Sequence, residues 1–128
     1  MKSMIFYMAE ALSKVGSVLY VIISPIIGIL GAFVSGSNTV SNSLFTNLQY
    51  QSAVNLGLPT ILIVALQIIG GAIGNMVCVN NTVAVSATVG TNGKEGKIIR
   101  TAVAPMVIYT VLIIIIFVFL IFVFRIGV

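Results

Sequence analysis

The chain has 128 residues, of which 59% are apolar and only 6% are charged, and its formal net charge is +4. An average soluble domain is about 25% charged, and a small domain cannot bury this much apolar surface. The composition therefore excludes an ordinary water-soluble protein and indicates lipid as the surrounding medium. With no histidine and one cysteine, the sequence has no disulfide framework and no metal-ligand spacing, so no metal, no cofactor and no catalytic residues are expected.

The charged residues lie towards the two ends and in one cluster, and none lies between Lys14 and Lys94. An ionised side chain at the centre of a bilayer costs at least ~2.5–3.5 kcal/mol, so this uncharged stretch suits a segment embedded in the membrane. Three basic residues between positions 94 and 100 have the placement of a membrane-topology signal. The lipid bilayer is therefore the expected partner, and no nucleic-acid binding is expected.

Residues 1–57 predict two elements in chain order. Apolar residues recur near helical spacing in residues 1–14, which predicts a helix at the membrane interface or a partial span. In residues 15–57, an apolar run is followed by the polar sequence SGSNTVSNS, residues 35–43. The arm after this sequence has about 14 residues and covers roughly 21 Å, less than the ~30 Å hydrocarbon core. Residues 15–57 therefore predict a re-entrant helical hairpin with its tip at 35–43.

Residues 58–90 predict a broken transmembrane helix. They contain a second apolar run with a GxxxG pair at Gly70 and Gly74, a spacing that permits close contact between helices. The polar sequence NNT interrupts this run at residues 80–82. The part that follows has about eight residues and measures roughly 12 Å, too short to cross a bilayer alone. The break is therefore expected near residues 80–82.

Residues 91–125 predict a loop and a last span. The loop, residues 91–100, carries the basic cluster and is expected on the cytoplasmic side. Residues 101–125 are almost uniformly apolar and predict a continuous C-terminal transmembrane helix that ends outside the cell. Taken together, the elements predict an all-α membrane protein that forms half of an inverted-repeat transporter.

The two polar interruptions form the candidate substrate site. Each places hydroxyl and amide groups at a helix start, where unpaired N–H groups and about half a positive charge are concentrated. Two such helix starts aimed at one point can hold a carboxylate without a buried arginine or lysine. The candidate substrate-binding residues are Ser37, Asn38, Thr39, Asn42, Asn81 and Thr82, and the candidate pore-lining residues are Gln67, Asn75 and Asn80.

A structural role stands beside the functional one at each of these positions. Serine, threonine and asparagine are ordinary N-cap residues, so capping alone would explain either interruption. Gln67 is equally compatible with a hydrogen bond between helices. The glycines favour packing contacts over ligand contacts, and Cys78 favours the role of a small buried hydrophobic residue.

Several motifs resemble the carboxy-terminal region of the L-lactate permease family. They are GSNTVSN at the first interruption and GGAIGNM, NNTVA, SATVG and GKEG around the second, within a likeness that covers about residues 20–110. The resemblance implies a proton-coupled symporter for lactate and related 2-hydroxy acids, such as glycolate, in the bacterial cytoplasmic membrane. Family members are several times longer, so this chain is expected to be a fragment whose partners are the remaining transmembrane helices of the permease.

Two other functions are compatible with the residues. A small, non-transporting membrane subunit that packs against a larger complex would explain the GxxxG pair and the missing half. A homo-oligomeric channel could be lined by the polar arm, residues 42–56, although no ring of charges is present to select ions.

A proton carrier is expected in the missing part of the permease, because the only carboxylates, Glu10 and Glu95, lie near predicted membrane surfaces.

Overall fold

The computed structural model describes residues 4–123 as a set of helices joined by short turns. The helices are α1 (Met4–Ser13), α2 (Ser17–Ser35), α3 (Asn38–Leu56), α4 (Thr60–Asn75), α5 (Val79–Thr88) and α6 (Glu95–Val118), which continues as a π-helical segment (Phe119–Val123). Three helical stretches are long and apolar enough to cross a membrane: Ser17–Ser35, Thr60–Thr88 and Glu95–Val123. No strand occurs among the described residues, so the predicted all-α class is confirmed.

The turn between α2 and α3 is shorter than the predicted tip at residues 35–43. It consists of Gly36 and Ser37, because the Ser37 side chain accepts a hydrogen bond from the backbone N–H of Val40 at 3.3 Å and so starts α3. Helix α3 therefore has 19 residues instead of the shorter arm that was predicted. Its length of about 28 Å approaches the hydrocarbon thickness, and the re-entrant hairpin stays a prediction.

The second break lies before the predicted residues 80–82. Helices α4 and α5 are separated by residues 76–78, so the sequence NNT occupies the first turn of α5. The reason is the cap: the Sγ of Cys78 accepts a hydrogen bond from the backbone N–H of Asn81 at 3.4 Å. Cys78 is therefore the N-cap of α5, although cysteine is not among the preferred N-cap residues.

Helix α4 packs against both α2 and α3, and backbone atoms of α2 and α4 approach each other closely at three glycines. A Cβ atom built on Gly70 would lie 2.9 Å from the Cα of Pro25, and one built on Gly74 would lie 2.7 Å from the Cα of Ile29. Gly28 is equally tight, since its Cβ would lie 2.8 Å from a backbone nitrogen of α4. The expected packing role of the GxxxG pair is thereby confirmed.

The ends of the described chain differ in part from the predicted bounds. Helix α1 occupies most of the predicted N-terminal helix, and residues 1–3 lie outside the described residues. Helix α6 begins at Glu95, inside the predicted loop 91–100, because the Glu95 carboxylate accepts a hydrogen bond from the backbone N–H of Gly93 at 2.9 Å and a negative charge suits a helix N-terminus. It contains no buried residue. Residues 124 and 125 of the predicted last helix lie outside the described residues.

Candidate functional site

The two breaks lie against each other. A Cβ atom built on Gly36, in the first break, would lie 2.9 Å from the Nδ2 of Asn80 and 3.4 Å from the Sγ of Cys78 at the second. Gly36 itself has a φ of 75° and caps the C-terminal end of α2 through the carbonyl of Ala32. The first turn of α5 therefore lies beside Gly36, which ends α2 two residues before α3 begins.

The residues of the first break occupy the first turns of α3. Ser37, Asn38 and Asn42 are half-buried, whereas Thr39 is exposed. The Oδ1 of Asn38 accepts a hydrogen bond from the Nδ2 of Asn42 at 3.2 Å. Gly71 of α4 leaves the space for the Asn38 amide, because a Cβ there would collide with it. Helix packing thus holds the Asn38 side chain against α4.

The residues of the second break form local hydrogen bonds. The Nδ2 of Asn81 donates to the Oδ1 of Asn75 at 2.9 Å, and the hydroxyl of Thr82 donates to the carbonyl of Cys78 at 2.9 Å. Thr82 and Asn75 are half-buried, and Asn80 and Asn81 are exposed. A cavity of about 220 Å³ lies beside them, and it is lined by Asn75, Met76, Asn81, Thr82, Val85 and Ile98.

This cavity collects only part of the predicted site. Its lining includes Asn81 and Thr82, whereas the four candidates of the first break, Ser37, Asn38, Thr39 and Asn42, are outside it. A larger cavity of about 470 Å³ lies at the start of α6; its lining includes Lys94 and Lys97 but no residue of either break.

Gln67 lies in the helix interface and not on an open surface. It is fully buried, its Oε1 accepts a hydrogen bond from the Nε2 of Gln49 at 3.1 Å, and its own Nε2 lies 3.2 Å from the Oγ of Ser41. The Nε2 of Gln67 also lies 3.4 Å from the Oδ1 of Asn42. Of the two roles that the sequence allowed, this position supports the interhelical hydrogen bond over pore lining.

Further buried and half-buried groups extend this contact into an amide ladder, which we define as Tyr20, Gln49, Gln67, Ser41, Asn42 and Asn38. The Tyr20 hydroxyl donates to the Oε1 of Gln49 at 2.6 Å. No sequence prediction named Tyr20, Gln49 or Ser41 as site residues. A signal was present, because positions 38, 42 and 49 follow helical spacing on one face of α3.

Known proteins match the chain over most of its length. A family model described as L-lactate permease matches residues 1–124. A putative L-lactate permease of Haemophilus influenzae is 41% identical over 110 residues, which cover 86% of this chain and 21% of that relative. The L-lactate permease of Salmonella typhimurium is 37% identical, with coverage of 83% and 19%, and the glycolate permease of Escherichia coli is 34% identical, with coverage of 75% and 17%. No solved structure matches the chain.

The chain spans about one fifth of the length of the relatives that it matches. A permease is a transporter and not an enzyme, and three long apolar helices suit a multi-pass bacterial membrane protein. The matched region includes both breaks, the glycine contacts between α2 and α4 and the start of α6. By the extent of the family match and by the identity to its members, the chain belongs to the L-lactate permease family.

Proposed function

We propose that the chain supplies part of the substrate site of a secondary active, proton-coupled transporter for L-lactate and related 2-hydroxy monocarboxylates. Relatives named for L-lactate and for glycolate support this substrate class, because both compounds carry a hydroxyl group next to a carboxylate. The remaining transmembrane helices of the permease would complete the site in the bacterial cytoplasmic membrane.

The contact between Gly36 and Asn80 carries the proposal. It puts the first turn of α5 beside the residue that precedes the N-cap of α3, within a stretch that has no charged residue, and this supports a site shared by the two helix starts. A carboxylate entering this region would meet backbone N–H groups, each helix start contributing about half a positive charge, with amide and hydroxyl donors around them. The proposed substrate-binding residues are Ser37, Asn38, Thr39, Asn42, Asn81 and Thr82, with Asn75 and Asn80 proposed to line the pore.

The proton would be carried outside this chain. The described helices between Lys14 and Lys94 contain no carboxylate and no histidine, so they offer the substrate only neutral donors and helix dipoles. We place the proton carrier in the part of the permease that this chain does not cover. On this proposal, the chain recognises the anion, and another segment couples its movement to the proton.

Uptake of L-lactate by the full-length permease that contains this chain tests the binding role. We expect Asn38→Ala and Thr82→Ala each to raise the KM for lactate roughly tenfold, because each removes a hydrogen bond to a charged ligand. KM values within twofold of the wild type for both variants would reject the binding role.

Thr88→Ala is the matched control for Thr82→Ala. The Thr82 hydroxyl donates to the carbonyl of Cys78 and the Thr88 hydroxyl donates to the carbonyl of Ala84, each four residues earlier and each at 2.9 Å. Only Thr82 lies at the break, so Thr88→Ala is expected to leave the KM unchanged. An equal effect of the two substitutions would attribute the Thr82 result to α5 stability and contradict a contact with the substrate.

A further inference from the structure

The amide ladder crosses three helices within the membrane-embedded part of the chain. Gln49 and Gln67 are fully buried, and their amides connect α2, α3 and α4 through hydrogen bonds of 3.0 to 3.1 Å. Buried polar groups must find partners in lipid, where no water can replace them. Packing requires a hydrogen-bond partner for each buried group of the ladder. It does not by itself require that these groups donate in the same direction along the ladder.

Two backbone carbonyls determine that direction. The Nε2 of Gln49 donates to the carbonyl of Ser24 at 3.0 Å, and a carbonyl can only accept. The Oε1 of Gln49 therefore faces Tyr20, and its Nε2 also donates to the Oε1 of Gln67 at 3.1 Å. The hydroxyl of Ser41 donates to the carbonyl of Gly28 at 3.0 Å, so it accepts from the Nε2 of Gln67 at 3.2 Å.

The direction continues to the first break. The Nε2 of Gln67 lies 3.4 Å from the Oδ1 of Asn42, so the oxygen of Asn42 is turned towards α4. The Nδ2 of Asn42 then donates to the Oδ1 of Asn38 at 3.2 Å. Among residues 4–123, no acceptor is found for the Nδ2 of Asn38. The Ser41 hydroxyl donates to a backbone carbonyl, but the other steps of the ladder donate towards the break. The last member, Asn38, is left with N–H donors that have no acceptor in this part of the chain.

We infer that Gln67 is a positioning residue, which turns the Asn38 amide so that its N–H donors face the substrate carboxylate. This role rests on the proposed function, since it requires that Asn38 contact the substrate. If Asn42 presented its nitrogen to α4 instead, Asn38 would offer an oxygen to the anion and repel it. Gln67 and Gln49 thus select the orientation of an amide that binds anions without contacting the substrate themselves.

Lactate uptake by the full-length permease with Gln67→Met tests this role. Methionine has nearly the same shape but neither donates nor accepts strongly, so Asn42 and Asn38 must be ordered when the substrate binds. We expect the KM to rise roughly fivefold, as for the ordering of one or two side chains on binding, with a maximal rate per permease molecule near that of the wild type. A KM within twofold of the wild type overturns the inference.

Ser24→Ala is the matched control. The hydroxyl of Ser24 is also buried and also joins α2 to α4, through the carbonyl of Ile63 at 3.4 Å. Its loss leaves the Ser24 carbonyl, and therefore the ladder, in place. We expect a KM within twofold of the wild type, and a rise equal to that of Gln67→Met would assign both effects to helix packing and overturn the positioning role.

A double-mutant cycle separates positioning from structure. Because Gln67 acts on Asn38 through Asn42, Gln67→Met should raise the KM less in the Asn38→Ala background than in the wild type. An undiminished further rise in the Asn38→Ala background overturns the inference. The proposed function fails separately, if Asn38→Ala and Thr82→Ala both leave the KM unchanged. An unchanged KM for Asn38→Ala alone, or a large effect of Asn38→Ala with none of Gln67→Met, rejects only the positioning role.

Gln67→Glu covers the case in which the methionine variant does not reach the membrane. A neutral carboxyl both donates and accepts, so at about pH 5, where a buried glutamic acid stays protonated, its KM should match that of the wild type. At about pH 9.5, above the range of about 8–9 to which burial can raise the pKa of a glutamic acid, the ionised form only accepts, which reverses Asn42 and raises the KM relative to the wild type at the same pH. An equal ratio to the wild type at both pH values overturns the inference.

Discussion

Gly36 combines a φ of 75° with the contact between the two breaks. The left-handed conformation ends α2 within one residue, and the missing side chain lets Asn80 approach from α5. A side chain with a Cβ would strain the backbone by roughly 1–2 kcal/mol and would also separate the breaks. The two effects can be measured separately, because an alanine at Gly57 would cause only the backbone strain.

We expect Gly36→Ala to reduce lactate uptake by the full-length permease at least tenfold, whereas Gly57→Ala retains at least a third of it. Gly57 also caps a helix, with a φ of 64°, but a Cβ there would meet no atom within 4 Å. The measurement is initial uptake, normalised to the amount of permease in the membrane. Equal losses in the two variants would show that backbone strain, and not the approach of Asn80, limits uptake.

Residue types could be predicted from the sequence, but their partners could not. The polar residues at positions 38 and 81 stand out in an uncharged apolar stretch, and both lie in the first turn of a helix as expected. Gln67 was compatible with two roles, because a single sequence does not reveal which neighbour a buried amide meets. Cys78 was missed as a cap, because cysteine is usually a small hydrophobic residue and seldom an N-cap.

Helix bounds were harder to predict than the helices themselves. Residues 35–43 contain several serines, asparagines and a threonine, each of which can start a helix. Only the observed hydrogen bond to the Ser37 side chain selects one of them. The GxxxG pair, by contrast, was recognisable from spacing, because close backbone approach between α2 and α4 requires small residues at a fixed interval.

We expect Gly70→Ala to destabilise the detergent-solubilised permease by about 1–3 kcal/mol in free energy of unfolding, measured as a lower melting temperature. The reason is that a Cβ there would lie 2.9 Å from the Cα of Pro25 in α2. Gly96→Ala is the control: Gly96 is also helical, but its Cβ would meet no atom within 4 Å. Alanine is a better helix former than glycine, so this variant should be as stable as the wild type or more stable. Unchanged stability of Gly70→Ala would contradict tight packing of α2 on α4.

The whole chain has a charge pattern that predicts its orientation. The basic residues near the start of α6 lie next to a span that is apolar over most of its length, so we propose that residues 91–100 are cytoplasmic and that the C-terminus lies outside. Composition, together with the length and spacing of the apolar runs, was sufficient to predict an all-α membrane protein. It was insufficient to predict how the two breaks meet, since that depends on contacts between residues far apart in the sequence.

We expect a cysteine at position 92, in the exposed turn before α6, to be protected from a membrane-impermeant maleimide in intact cells. The same Asn92→Cys variant should be labelled in inside-out vesicles, which is its positive control. Cys78 is buried and should contribute little background, and the other accessible cysteines of the permease are removed beforehand. Labelling from outside intact cells would invert the proposed orientation.

The chemistry of the amide ladder has a consequence for the proposed proton coupling. It consists only of amides and hydroxyls, groups that keep their charge state at ordinary cellular pH. A change of pH within this range therefore does not alter the charge of the groups that form the ladder. If a pH difference across the membrane drives uptake, as proposed, it protonates and deprotonates no group of the ladder. We therefore expect α2, α3 and α4 to keep the same packing throughout the transport cycle.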